Sequence, residues 1–233
     1  AGLPLKYTTG LRAGTYRESV TLSRSGAKDK PITFAAYKSE KAILDGYKSL
    51  DYGIQTQYQN PDSKASDIVL NGFTIQNYTA NAIALWSVNN RWTLENLTLL
   101  NNNDFAILVS NSDGLKMRNV IMQNNVGGFS CSPILPANGE GCTNLYIGDS
   151  KAMDNGREDN TGVDAFAVEK GDTILVERSL AAGGPGDGFD FKSNRTTLSQ
   201  VIAYNTRNNI KLWGKESKLI NALAYDAKAD ANV

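Results

Sequence analysis

LNGFTIQN at 70–77 and LENLTLLN at 94–101 open a series that continues with MRNVIMQN at 117–124 and IGDSKAMD at 147–154. VERSLAAG at 176–183, LSQVIAYN at 198–205 and LINALAYD at 219–226 complete it. Each segment has an apolar first residue, two mostly polar residues, a fourth that is often apolar, and an alternating stretch closing on Asn, Asp or Gly. Recurrence every 21–30 residues is the mark of a stacked coil. The eighth position reads Asn77, Asn101, Asn124, Asp154, Gly183, Asn205 and Asp226. These residue types tolerate the left-handed backbone of a tight turn, and stacked Asn side chains can hydrogen-bond along a coil axis. A chance richness in Asn does not explain the fixed phase.

A second strand follows each turn: NAIALW (81–86), DFAILV (104–109), GGFSCS (127–132), DAFAVE (164–169), DGFDFK (187–192) and NNIKLW (208–213). Their third and fifth residues, such as Ile83/Leu85, Phe166/Val168, Phe189/Phe191 and Ile210/Leu212, are mainly apolar and alternate with outward residues, as half-buried strands require. One coil cannot bury its inner face, whereas a stack makes a continuous apolar column. Helical spacing of apolar residues is absent. The reading is an all-β right-handed parallel β-helix occupying 1–233 as one domain. GTYRESVTL, KPITFAAY and KAILDG form its lead-in around the turn-rich SRSGAKD. The last coil lacks a covering cap, so the expectation is that part of the C-terminal end is missing.

Composition narrows the chemistry. Lys plus Arg equals Asp plus Glu, 24 against 24, so a polyanion would be held by a local cluster and not by a global field. Nucleic acid is not an expected partner, and no apolar run reaches the ~20 residues of a membrane span. A monomer is expected. The absence of histidine removes His general bases, Ser-His-Asp triads and the usual zinc sites, leaving carboxylates, Lys, Arg or a hard metal ion. Cys131 and Cys142 flank SPILPANGEG. They read as a disulfide closing that loop, with two free thiols the alternative; a bridge places the protein outside the reducing cytosol, secreted or periplasmic.

Equivalent positions in successive coils lie about 4.8 Å apart, so alignment becomes geometry. The fourth residue of the second strand reads Ala84, Ile107, Ser130, Ala167, Asp190, Lys211, which makes Asp190 and Lys211 neighbours. The first residue reads Asn81, Asp104, Gly127, Asp164, Asp187, Asn208, which stacks Asp164 on Asp187. Taken singly, each Asp reads as a solvated turn residue. Together beside a lysine, Asp164, Asp187 and Asp190 offer the hard oxygen ligands that suit Ca²⁺. Lys211 singly reads as a solubilising edge lysine. A double charge about 6 Å away repels an ammonium by on the order of 5 kcal/mol at an effective dielectric near 20. That is enough to bring Lys211 toward the range of a proton acceptor.

DAFAVEK, GDGFDFK and NNIKLWG, within Asp164–Gly214, resemble the family 9 polysaccharide lyases, which are β-helical pectate lyases. The lead-in GTYRESVTLSRSGAKDKPITFAAY is similar to their N-terminal region. The resemblance implies that Asp164, Asp187 and Asp190 hold a catalytic Ca²⁺ and that Lys211 is the Brønsted base. It also implies an acidic polysaccharide substrate such as polygalacturonate, cleaved by β-elimination. Gly186 stands where the family tends to place another metal-binding carboxylate, and Ala165 replaces a glycine. Lys192 and Arg207 are candidates to grip a sugar carboxylate and Trp213 to stack on a pyranose, beside ordinary surface roles for all three.

Two other readings use the same fold. A non-catalytic carbohydrate-binding β-helix would carry an extended outward aromatic row, whereas Trp86 and Trp213 are several turns apart. A glycoside hydrolase could use Asp187 and Asp190 as paired carboxylates, but the His-containing motif of polygalacturonases is impossible here. GGPGDG superficially resembles a phosphate loop, yet no helix follows it.

Overall fold

A computed structural model describes residues 8–58, 65–134, 139–156 and 162–228. The chain is a parallel β-helix whose strands form three faces, and every pairing between named strands is parallel. The order along each coil is face A, face B, face C. Coil after coil repeats it: Ile68–Asn71, Thr74–Gln76 and Ile83–Val88, then Thr93–Glu95, Thr98–Leu100 and Phe105–Asp113. Among the described residues the one helical element is the short 3-10 turn Tyr37–Ser39, and no helix is long and apolar enough to cross a membrane.

The eight-residue repeat is two strands, not one. Its third position reads Gly72, Asn96, Asn119, Asp149, Arg178, Gln200 and Asn221, and every one has a positive φ, between 48° and 84°. This corner turns face A into face B. The eighth position is left-handed in all seven coils as well, with φ between 50° and 71°. Two left-handed corners at fixed phase therefore bend each coil.

A buried hydrogen-bonded asparagine ladder sits one residue later than the eighth position of the repeat. Asn102 donates to Asn125 Oδ1 at 2.8 Å, and Asn125 donates to Asn155 Oδ1 at 3.1 Å. The same oxygens accept the backbone N–H groups of Asn102 and Asn125 at 3.0 Å. These amides are buried and satisfied, which is the condition for burying them at all.

Inward columns fill the core. Leu70, Leu94, Met117, Ile147, Val176 and Leu198 stack in register on face A, all fully buried. On face B the later coils carry Ala152, Ala181 and Ala203. Opposite them, face C carries Phe129, Phe166, Phe189 and Phe191. Small residues on one wall leave room for rings on another, so interior volume is conserved. Phe166 and Phe189 stack at 5.1 Å with a 7° interplanar angle.

Cys131 ends a face C strand, Cys142 begins a face A strand, and the two are bridged and fully buried. Part of the loop between them, 135–138, lies outside the described residues. The register corrects one alignment: Ile107 pairs with Ile83 and faces inward, so Leu108, not Ile107, belongs to the outward column. Correspondingly, Phe105 and not Asp104 stands opposite Gly127.

Candidate functional site

The outward column of face C runs Ala84, Leu108, Ser130, Ala167, Asp190, Lys211, each paired with the next. Asp190 is the centre of Phe189–Phe191 and Lys211 the centre of Ile210–Leu212. Their flanking residues point inward, and period-two alternation therefore drives both charges onto the outer surface. Asp164 and Asp187 occupy the bends that open two successive strands. They are tied by a bond from Asp187 N–H to Asp164 Oδ1 at 2.8 Å. One carboxylate oxygen from each of Asp164, Asp187 and Asp190 lies within 4.8 Å of the others, and all three residues are buried.

Asp187 is the most heavily partnered. Arg207 donates to it from Nε at 2.8 Å and from Nη2 at 2.9 Å. Asn208 adds its backbone N–H at 3.2 Å and its side-chain amide at 2.8 Å, and Lys211 Nζ lies 2.8 Å from Oδ2. Burial pushes this carboxyl up, but the Arg207, Lys211 and Asn208 donors outweigh it and hold Asp187 far below the usual carboxylate range. Asp190 accepts Lys211 Nζ at 3.3 Å and Trp213 Nε1 at 3.0 Å, with Lys192 Nζ at 3.7 Å.

Asp164 differs. Among the described residues no ion pair reaches it, and its principal donor is one backbone N–H. Burial first, then the fields of Asp187 and Asp190, raise its pKa to about 6. Arg207 only partly offsets this, so the cluster's excess negative charge sits at the acid that no ion pair reaches among the described residues.

The lysine behaves differently from the cation-assisted expectation. Burial lowers its pKa, but the hydrogen bond to Asp187 and the fields of Asp190 and Asp187 prevail, holding it above the usual lysine value. Acids this close favour the ammonium form unless another positive charge offsets them. The ammonium also lies 5.3 Å over the Trp213 ring, which is 65% exposed. Lys192 reaches Glu169 as well as Asp190. The structure therefore brings all seven sequence-selected residues to one surface, with Arg207 engaged on Asp187 and Lys192 on Glu169. Two participants were not singled out from sequence. Asn208 was visible as a member of the opening column, and Glu169 precedes Lys192 in the next outward column.

Gly186 has a steric cause. A Cβ there would sit 1.8 Å from the Val163 carbonyl oxygen, so this backbone admits no side chain at the position. The fourth carboxylate of the resembling family has no room in this geometry.

No family model matches the sequence. A 75-residue stretch is 32% identical to the uncharacterized protein YwoF of Bacillus subtilis (strain 168), covering 32% of this chain and 16% of that protein's length. Similar solved structures include the alginate lyase from Paenibacillus sp. str. FPU-7, with TM-score 0.60 and 13% identity over 93% of this chain and 92% of that one. Pectate lyase Pel9A gives 0.57 and 17%, over 97% of this chain and 70% of that one. A rhamnogalacturonan lyase gives 0.55 and 14%, over 97% and 62%. The fold is thus the parallel β-helix found in polysaccharide lyases.

Proposed function

We propose that this chain is a polysaccharide lyase that cleaves a uronate-containing polymer by β-elimination, with Lys211 as the base. The observation that carries the reading is the register Ala167–Asp190–Lys211, which sets one amine among three buried carboxylates on an open strand face.

The donor set fits a hard divalent ion such as Ca²⁺. It offers three carboxylates, and among the described residues no ion pair reaches Asp164, whose principal donor is one backbone N–H. Asp164, Asp187 and Asp190 would hold such an ion, which would supply positive charge to offset the acids around Lys211 and the carboxylate of the sugar. Every other part falls to the chain. Lys211 Nζ takes the C5 proton; the C5–H electron pair forms the C4=C5 double bond, the C4–O4 bond breaks, and O4 leaves with a proton from water. Trp213, exposed and anchored to Asp190, presents a face for the sugar ring. Lys192 and Arg207 bracket the acids and attract the sugar carboxylate. Asn208 and Arg207 hold Asp187 ionised and in place. The buried disulfide supports action in an oxidising compartment, secreted or periplasmic.

The test is ultraviolet absorbance of the unsaturated product, measured on polygalacturonate, alginate and a galacturonate–deoxyhexose backbone, with added Ca²⁺ and with a chelator. Lys211→Ala should reduce turnover at least about 1000-fold, a loss within the range of general base catalysis, while keeping the parent's fold by circular dichroism. A fully active Lys211→Ala protein removes the reading.

A further inference from the structure

A second outward column runs beside Asp190 and Lys211. Glu169, Lys192 and Trp213 each follow the last inward residue of their strand, and the ladder continues through them. Lys192 N–H donates to the Val168 carbonyl and Trp213 N–H to the Phe191 carbonyl, both at 2.9 Å. Neighbouring coils therefore set a carboxylate, an ammonium and an indole in one row. Trp213 Nε1 donates to Asp190 Oδ1 at 3.0 Å, and Lys211 Nζ reaches Oδ2 at 3.3 Å. Lys192 Nζ has two acids in range. It pairs with Glu169 Oε2 at 2.5 Å and stands 3.7 Å from Asp190 Oδ2, inside ion-pair range but outside hydrogen-bond range.

That division runs against burial. The Glu169 side chain is 37% exposed and the Asp190 side chain 5%, and a charge pair is stronger where water is excluded. With Glu169 neutralised, Asp190 is the other acid within ion-pair distance of Lys192 among the described residues. An ammonium settled on Oδ2 competes with any other cation for that oxygen. As a stabilising contact, an exposed pair such as Glu169–Lys192 counts for little. Its consequence is where the ammonium rests.

We propose that Glu169 is a positioning residue of the acid cluster: it holds the Lys192 ammonium off Asp190 Oδ2 and keeps that carboxylate open to a divalent cation. The inference rests on the reading of Asp164, Asp187 and Asp190 as the cation's ligands. It adds a residue outside that set which governs how tightly the ion is held.

Direct cation binding tests it, with Ca²⁺ displacing Tb³⁺ whose luminescence is excited through Trp213, the indole bonded to Asp190. Glu169→Gln should weaken Ca²⁺ binding about 5-fold or more, the scale of coupling within one salt-bridge network. Lys192→Met should strengthen it. Losing a negative charge near the ion also weakens binding, so the double variant decides. If Glu169 acts through Lys192, Glu169→Gln made in Lys192→Met protein should change the Ca²⁺ Kd by less than about 2-fold. The same loss in both backgrounds leaves Glu169 a field effect alone and overturns the proposal. Unchanged Ca²⁺ binding by Glu169→Gln, or no Ca²⁺ or Tb³⁺ binding by the parent, overturns it too. Both side chains lie on the surface, so the three variants should keep the parent's circular dichroism. Absorbance of the unsaturated product separates this from the lyase reading. Ca²⁺-dependent cleavage with equal losses in the two backgrounds leaves the lyase and removes the role of Glu169. A coupled pair in a protein that cleaves no uronate polymer does the reverse.

Discussion

Asp164 carries a cost that one substitution should relieve. The residue is 7% exposed, and burial with two neighbouring acids raises its carboxyl from 3.8 to about 6. The folded protein therefore binds this proton more tightly than the unfolded chain does. Below the unfolded value both states hold the proton and there is no cost. Between the two values the cost grows, and above about 6 it is complete. At 1.36 kcal/mol per tenfold difference, keeping Asp164 ionised at pH 8 costs about 3 kcal/mol, and at pH 4.5 about 1 kcal/mol. Asn in its place can still accept the Asp187 N–H through Oδ1, yet never ionises. Asp164→Asn should thus melt higher than the parent in chelator at pH 8. A chain of this size gains about 2–4 °C per kcal/mol, giving about 6–12 °C, with the gap shrinking to about a third at pH 4.5. The depressed carboxyl of Asp187 weighs little in this comparison, since its contribution to stability is lost mainly below the two pH values used. Millimolar Ca²⁺ should raise the parent more than the variant and close the gap. Differential scanning calorimetry at the two pH values reads all of this. A variant that melts below the parent at pH 8 in chelator, or a gap that ignores pH, refutes the account of Asp164.

Two further outcomes concern the scaffold. Asn125 is buried, donates to the Leu99 carbonyl and Asn155, and accepts two bonds from Asn102. Asn125→Leu should therefore cost about 3 kcal/mol or more by leaving those groups unpaired, read as a fall in Tm of roughly 6–12 °C; an unchanged Tm would show that the ladder is not a stabilising device. Replacing Cys131 and Cys142 together by Ser opens the buried bridge and should lower stability by roughly 2–4 kcal/mol. Urea melts with and without reductant check this, since reductant should move the parent and leave the double variant unmoved.

The coil repeat was legible because its causes are local. A left-handed corner selects Asn, Asp or Gly one residue at a time, and a half-buried strand alternates with period two, so Asn77 to Asp226 and the inward pairs from Ile83/Leu85 to Ile210/Leu212 stand out in one dimension. The face A–face B corner was less visible, since Arg178 and Gln200 adopt it without belonging to the usual turn residues. Asp104 drew the alignment off by one because an acid there imitates Asp164 and Asp187. Only the pairing of Ile107 with Ile83 shows that Phe105 holds that column.

What the sequence determined by itself is the stack and the identity of the charges it brings together: Asp164, Asp187, Asp190 and Lys211 follow from counting residues between turns. How those charges share their partners is a matter of the folded coil. Arg207 and Asn208 converge on Asp187, Asp164 is left with a backbone donor, and the Val163 carbonyl excludes a side chain at Gly186. The partners of the acids and the space at Gly186 depend on distances of a few ångströms between separate coils. Coulomb and steric energies vary steeply over that range, and spacing along a chain does not encode it.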